Sequence, residues 1–139
     1  MSKSRLSKST FIRGLQCEKS LYLYKHQYRL KDPTPSSLQA VFDQGTNIGL
    51  LAQELFPYGA DASPENHFKM VESAGKTLKF ISQGKSIIYE ATFLFNNVLA
   101  ALDILVKDEE GWKAYEVKSS TKVSETYIKD AAIQYYTIT

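Results

Sequence analysis

SIIYEATFLF (86–95), NN (96–97), VLAALDILVK (98–107), DEEG (108–111) and WKAYEVK (112–118) form one continuous run, and its reading decides the fold. The three longer pieces are rich in β-branched and aromatic residues, which suit a pleated, half-buried surface. Asn96-Asn97 is a tight hairpin turn, and Asp108 to Gly111 is a second turn. Three strands joined by two short turns make an antiparallel meander over residues 86–118.

Two of these strands carry charge where a core strand is apolar. Asp103 sits inside Leu99-Ala100-Ala101-Leu102-Asp103-Ile104-Leu105-Val106. Burying an ionised Asp there is costly unless something pairs with it. Glu116 and Lys118 bracket Val117, so a strand running through Lys118 puts them on the same face, roughly 6–7 Å apart. A short hairpin lets Asp103 approach them. Asp103 and Glu116 are candidate oxygen ligands for Mg²⁺ or Mn²⁺, with the Val117 carbonyl as a third, since Mg²⁺ accepts one or two carboxylates plus water. Lys118 is then placed to orient or deprotonate a water, or to stabilise the oxyanions of a reacting phosphate. The competing reading is an exposed Glu-x-Lys salt pair on a strand face, or a structural domain whose charges form a buried network.

Working outward, residues 7–26 read as helix in two pieces, interrupted at Gly14 and supplied with Leu15, Leu21, Tyr22, Leu23 and Tyr24. Lys31-Asp32-Pro33-Thr34-Pro35-Ser36 breaks the chain. A second helix is expected from Ser37 to Phe56, with Leu38, Val41, Phe42, Ile48, Leu51, Ala52, Leu55 and Phe56 as a buried stripe. Gly45 and Gly49 lie on that stripe, which suggests a very close neighbour. Ser63-Pro64-Glu65 reads as a helix start, Phe68, Val71, Leu78 and Ile81 as its inner face, and Gly84 as its stop. From Ser124 the pattern turns helical again through Tyr127, Ile128, Ala131, Ala132 and Tyr135. The class is therefore α/β in α+β order, a mixed sheet begun by the meander and flanked by helices. Residues 1–139 read as one domain: 1–85 mainly helical, 86–118 the meander with the site, 122–139 a helix. That helix reaches residue 139 without a stop signal, so an N-terminal fragment of a longer protein, with further domains of the same chain as partners, is the expectation.

The chain has 139 residues, 43% hydrophobic and 23% charged, an ordinary composition for one globular core. No apolar run reaches membrane-span length, and no secretory core follows the basic N-terminus. The single Cys17 excludes an internal disulfide framework; with no membrane segment, this gives a cytoplasmic expectation. The net charge of +2 hides a basic leading segment, where Lys3, Arg5, Lys8, Arg13, Lys19, Lys25, Arg29 and Lys31 face only Glu18. Such a segment suits phosphates or a solvated helical face. His26 and His67 have no ligand partner at helical spacing and read as surface or packing residues. Trp112 and the tyrosines read as core and hairpin aromatics.

Ala101-Leu102-Asp103-Ile104-Leu105 followed by Tyr115-Glu116-Val117-Lys118-Ser119-Ser120 resembles the Asp…(Asp/Glu)-x-Lys core of the PD-(D/E)XK nuclease superfamily, and more narrowly its RecB-like and CRISPR-associated exonuclease branch. Leu6-Ser7-Lys8-Ser9-Thr10-Phe11 and Gln16-Cys17-Glu18-Lys19-Ser20-Leu21-Tyr22-Leu23 resemble that branch's N-terminal helix, and Gly45-x-x-x-Gly49 its Gly-x-x-x-His segment. Glu90 matches a Glu that precedes the Asp strand, and Gln134 the Gln of a Gln-x-x-x-Tyr helix. The resemblance implies a restriction-endonuclease-like core and a Mg²⁺- or Mn²⁺-dependent nuclease acting on single- or double-stranded DNA, exonuclease-like. It implies Asp103 and Glu116 as metal ligands, Lys118 as catalytic, and Glu90 and Gln134 as accessory or nucleic-acid contacts. Gly49 stands where many relatives carry a ligand His, and Ile138 where the motif has Tyr. Some branches hold a four-cysteine iron–sulfur cluster; with one cysteine no such cluster is expected, and Cys17 is expected to be buried. A non-catalytic nucleic-acid-binding module that keeps the fold is the alternative, favoured by Gly49 and opposed by the intact Asp103, Glu116 and Lys118.

Overall fold

The computed structural model describes residues 5–139; Lys3 of the basic leading segment lies outside them. In chain order the elements are β1 (Leu6–Ser7), α1 (Lys8–Gln16), α2 (Glu18–His26), a 3-10 turn (Tyr28–Leu30), α3 (Ser36–Gln53), β2 (Ala60–Asp61), a second 3-10 turn (His67–Lys69), α4 (Met70–Ser82), β3 (Ile87–Phe95), β4 (Val98–Asp108), β5 (Gly111–Tyr115) and α5 (Glu125–Ile138). The described residues are mixed α/β, with five α-helices around a five-stranded mixed sheet. Among the described residues no helix is long and apolar enough to cross a membrane.

The meander forms as the sequence pattern predicts. Asn96 and Asn97 take φ of 48° and 61°, the left-handed pair that a two-residue hairpin needs and Asn tolerates. β4 pairs with β3 along nearly its whole length (Ile87 opposite Val106 through Phe95 opposite Val98). Its other edge is shared. β1 runs parallel to it at Val98–Leu99, and β5 antiparallel at Ile104–Asp108. Between them Ala100 to Asp103 have no strand partner on that edge. α1 leaves β1 on one side of this gap, and the chain leaves β5 on the other.

Ala62, Ile88, Ala91, Leu102 and Leu105 form the core, with Phe80, Ile81 and Phe93 packed on it. α4 covers this face through small polar residues. Ser73 Oγ donates to the Ala62 carbonyl at 2.6 Å, and Thr77 Oγ1 accepts from the Thr92 N–H at 2.9 Å. A buried hydroxyl is stable only when so partnered, and short side chains let the helix lie close to the sheet.

Several boundaries and faces differ from the sequence expectation. β5 ends at Tyr115, not Lys118, because the Val117 N–H donates to the Asp103 carboxylate at 2.6 Å instead of extending the ladder. The N-terminal pair of helices divides at Cys17, where the backbone turns extended, and not at Gly14. Gly14 instead admits Leu21, whose Cδ2 would lie 2.9 Å from an added Cβ. Cys17 is exposed, since it caps two helix ends at the surface. α4 starts at Met70, after a 3-10 turn capped by Asn66; the Ser63 N–H is held by Asp61 Oδ1, so the chain there makes a turn. Its inner face is Ser73, Ala74 and Thr77, while Phe68, Val71 and Leu78 are exposed. α5 buries Asp130, Ile133, Gln134 and Thr137, and leaves Ile128 and Tyr135 exposed. The apolar stripe expected to be buried on α3 is not: no α3 residue is buried, and Leu38, Val41, Phe42 and Leu51 are all exposed. Helical periodicity shows that a face is apolar, not that something covers it.

Candidate active site

The gap on the edge of β4 is where the charged residues gather. The register that pairs Tyr89 with Ile104 and Ala91 with Leu102 sets Glu90 opposite Asp103. β5 ends at Tyr115, paired with Ile104, and Glu116 follows one residue further on, beside the Asp103 position of β4. Glu90, Asp103 and Glu116 therefore form one row across three neighbouring chain segments. Glu90 holds a φ of 52°, in the left-handed region that a residue with a Cβ enters at a cost.

At one end of the row neither carboxylate has an ion-pair partner among the described residues, although Lys8 acts on both at longer range. Burial pushes Glu90 up to about 7, and the Asp103 charge adds to it. Burial also raises Asp103, with the Glu116 charge next in importance; the Val117 N–H bond only partly offsets this. Glu90, Asp103 and Val117 line a cavity of about 280 Å³ whose far wall is α3, at Gly45, Gly49 and Gln53. Added Cβ atoms at Gly45 and Gly49 would meet nothing within 4 Å. The glycines thus front open space, and the close neighbour expected from sequence is absent.

At the other end every acid is matched. Lys8 Nζ donates to both oxygens of Glu116 at 3.0 Å, Lys118 Nζ donates to Oε1 at 2.5 Å, and Gln134 Nε2 donates to Oε2 at 2.9 Å. Four contacts use the roughly four lone-pair positions of a carboxylate. Lys118 also donates to Asp130 Oδ2 at 3.0 Å, and Lys8 lies 3.9 Å from Asp130 Oδ1. Burial works against the charge on Lys118, but the hydrogen bonds it donates to Glu116 and Asp130 outweigh this and raise its pKa. Burial likewise works against ionised Asp130, and Lys8 and then Lys118 outweigh it and lower its pKa. The Lys118 ammonium also lies 5.7 Å from the Tyr127 ring centre.

The structure therefore brings together Glu90, Asp103, Glu116, Val117, Lys118 and Gln134, but not in one pocket. Glu116 and Gln134 border an apolar groove of about 610 Å³ beside Trp112, and Lys118 borders a third cavity with Lys8 and Asp130. Glu116 and Lys118 lie past the end of β5, and their side chains form an ion pair. Sequence reasoning missed Lys8 and Asp130. Asp130 had a signal: it precedes Gln134 by four residues, one helical turn, on the buried face of α5. Lys8 had little, since its partner is 108 residues away.

Among the described residues no three His, Cys, Asp or Glu side chains stand close enough to cage a metal ion. What the donor set offers is Asp103, bonded on one oxygen only to Val117, between two further carboxylates. This suits a hard cation that keeps much of its water. Comparison with protein-family profiles, with curated proteins and with solved structures finds no match to this chain.

Proposed function

We propose that this chain is a Mg²⁺- or Mn²⁺-dependent nuclease that hydrolyses phosphodiester bonds in DNA, in an exonuclease-like way, on a restriction-endonuclease-like core. The observation that carries this reading is the gathering of Glu90, Asp103 and Glu116 on three neighbouring chain segments with the Lys118 ammonium clamped at one end. Asp103 and Glu116 would hold the cation, with the Val117 carbonyl as neighbouring oxygen donor. Bound there, the cation supplies Lewis acidity and an activated water.

Lys118 contributes as a fixed positive charge. Its raised pKa makes it a poor base, so orienting a water or stabilising oxyanion charge is the role its setting supports. Asp130 positions Lys118, and Gln134 positions Glu116. Glu90 adds negative charge beside Asp103. Lys8 holds Glu116 and has to leave it before that carboxylate can accept a cation.

The full occupation of Glu116 and the glycine at position 49 favour one other reading, a nucleic-acid-binding module that keeps the fold without cutting. Labelled single- and double-stranded DNA, incubated with Mg²⁺, with Mn²⁺ and with chelator, separates the two. Cleavage that needs the cation and is lost in Lys118→Ala supports the nuclease. Binding without cleavage under either cation supports the module.

A further inference from the structure

α1, α2 and the 3-10 turn Tyr28–Leu30 enclose a concave surface of about 310 Å³ that the carboxylate row does not use. Arg13, Lys19, Tyr24, Tyr28 and Lys31 line it, and no Asp or Glu does. The cavity that holds Lys118, Lys8 and Asp130, about 390 Å³, is also lined by Arg13. Arg13 is thus a shared wall, and the two cavities adjoin across it, which would let a flexible chain follow one path from Lys118 over α1 to Tyr28.

We infer that this path binds a single-stranded polynucleotide, with an unpaired base stacked on Tyr28 and phosphates held by Arg13, Lys19 and Lys31. That the path delivers the strand to Lys118 for cutting rests on the nuclease reading; the binding itself does not.

The chemistry on the surface is that of a nucleotide site. Tyr28 is 57% exposed, and the Lys31 ammonium sits over its ring, 5.5 Å from the centre, so a base takes that face as the ammonium swings to a phosphate beside it. Tyr24 meets Tyr28 edge to face at 5.3 Å and supports that ring. The Arg13 guanidinium lies 4.6 Å from the Tyr24 ring centre and donates through Nη1 to Ser20 Oγ at 3.0 Å. It is held in place with donors left for a phosphate fork. Between residues 5 and 31 seven Lys or Arg stand against Glu18 alone, so the surroundings attract a polyanion. A base in a duplex is paired and stacked and cannot enter a concave site to lie on a tyrosine, whereas an unpaired base can. The strandedness follows from the shape, and the class of ligand from the pairing of rings with cations.

The test uses the full chain in chelator, so that nothing is cut, and reads fluorescence anisotropy of a labelled oligothymidylate and of a duplex of equal length. The parent should bind the single strand more tightly than the duplex. Tyr28→Ala should weaken single-strand binding roughly tenfold or more, and Tyr28→Phe, which keeps the ring, should bind like the parent. Lys19→Gln with Lys31→Gln should reduce the slope of log affinity against log salt by about 1.4, two phosphates at roughly 0.7 each. Both lysines are exposed, so that variant should fold. Equal affinity for duplex and single strand, or parent-like binding by Tyr28→Ala, overturns the inference. A protein that cuts DNA with Mn²⁺ while Tyr28→Ala binds normally keeps the nuclease reading and loses this one. A protein that grips the strand through Tyr28 but never cuts does the reverse.

Discussion

The two ends of the carboxylate row are built from the same residue types and behave in opposite ways. At the Glu90–Asp103 end, burial without a close cation drives both carboxyls upward. At the Glu116–Asp130 end, Lys8 and Lys118 lie within hydrogen-bonding distance, and Asp130 is held below its ordinary range despite its burial. Burial alone therefore does not decide the ionisation of a carboxylate; the position of the nearest ammonium does. The first end is short of positive charge and the second is saturated with it. The proposed nuclease would use both properties side by side, carboxylates without a close ammonium and a fixed positive charge next to them.

The largest expected effect comes from emptying the saturated end. Lys118→Ala should cut DNA at least roughly a hundredfold more slowly, the usual scale for losing one well-placed charge in a transition state. Mn²⁺ affinity, measured by calorimetry, should be retained, because Lys118 is not a ligand. Asp103→Asn should differ: it weakens the seat, so excess metal should partly restore cutting. If Lys118→Ala cuts like the parent, the two ends do not divide the labour in this way.

A donor added to the Glu90–Asp103 end should sharpen the contrast. Gly49 lines the same cavity as Glu90 and Asp103, with open space where a Cβ would stand. Gly49→His should fold, since replacing a mid-helix glycine removes a propensity cost of up to about 1 kcal/mol. It should tighten Mn²⁺ binding roughly tenfold, as a neutral imidazole joins the carboxylates. Unchanged affinity would mean that α3 does not face a cation seat. Removing the competitor at the saturated end should do less. Lys8→Met frees lone pairs of Glu116 and should tighten Mn²⁺ by about fivefold, the worth of a partly exposed ion pair near 1 kcal/mol. Weaker binding in Lys8→Met would make Lys8 a support of the site and not an occupant of it.

The meander, both its turns and the flanking α5 are legible in the sequence, because strand composition and turn residues act locally. Asp103 is legible for a related reason: one charge in a run of apolar residues is a contradiction that local reasoning detects. The remainder depends on distant pairings. β1 and β2 are two residues long and owe their existence to the edges of β4 and β3, so no periodicity announces them. Lys8 reaches Glu116 only because β1 and β5 share one edge of β4 and leave a gap between them. The stripe on α3 is a correct reading of pattern and a wrong reading of burial. Gly45 and Gly49 mislead similarly, since a glycine is chosen for a crowded neighbour or for an empty cavity, and the sequence alone does not separate these.

The smallest effect concerns Glu90 and the pH dependence of stability in the cation-free protein. Its carboxyl stands at about 7 in the folded chain against 4.5 as the ordinary value. Folding therefore favours the protonated form. The stability linked to that proton is fully present below pH 4.5 and is lost as pH rises through about 7. The whole shift would correspond to roughly 3 kcal/mol, but Glu90 is partly open to water, and screening reduces the expected loss to on the order of 1 kcal/mol. Glu90→Gln cannot ionise and should escape it. In chelator, urea midpoints of parent and variant should be close at pH 5, and at pH 8 the variant should be the more stable. Asp130 runs the other way: its pKa is lowered from 3.8, so its contribution is present at neutral pH and lost only as pH falls below that value. The two ends thus predict opposite flanks of one stability profile. Because the Asp130 flank lies below pH 4, the comparison between pH 5 and pH 8 reads the Glu90 end almost alone. If Glu90→Gln and the parent lose stability equally between pH 5 and pH 8, then Glu90 already has a compensating partner, and the two ends do not differ in this way.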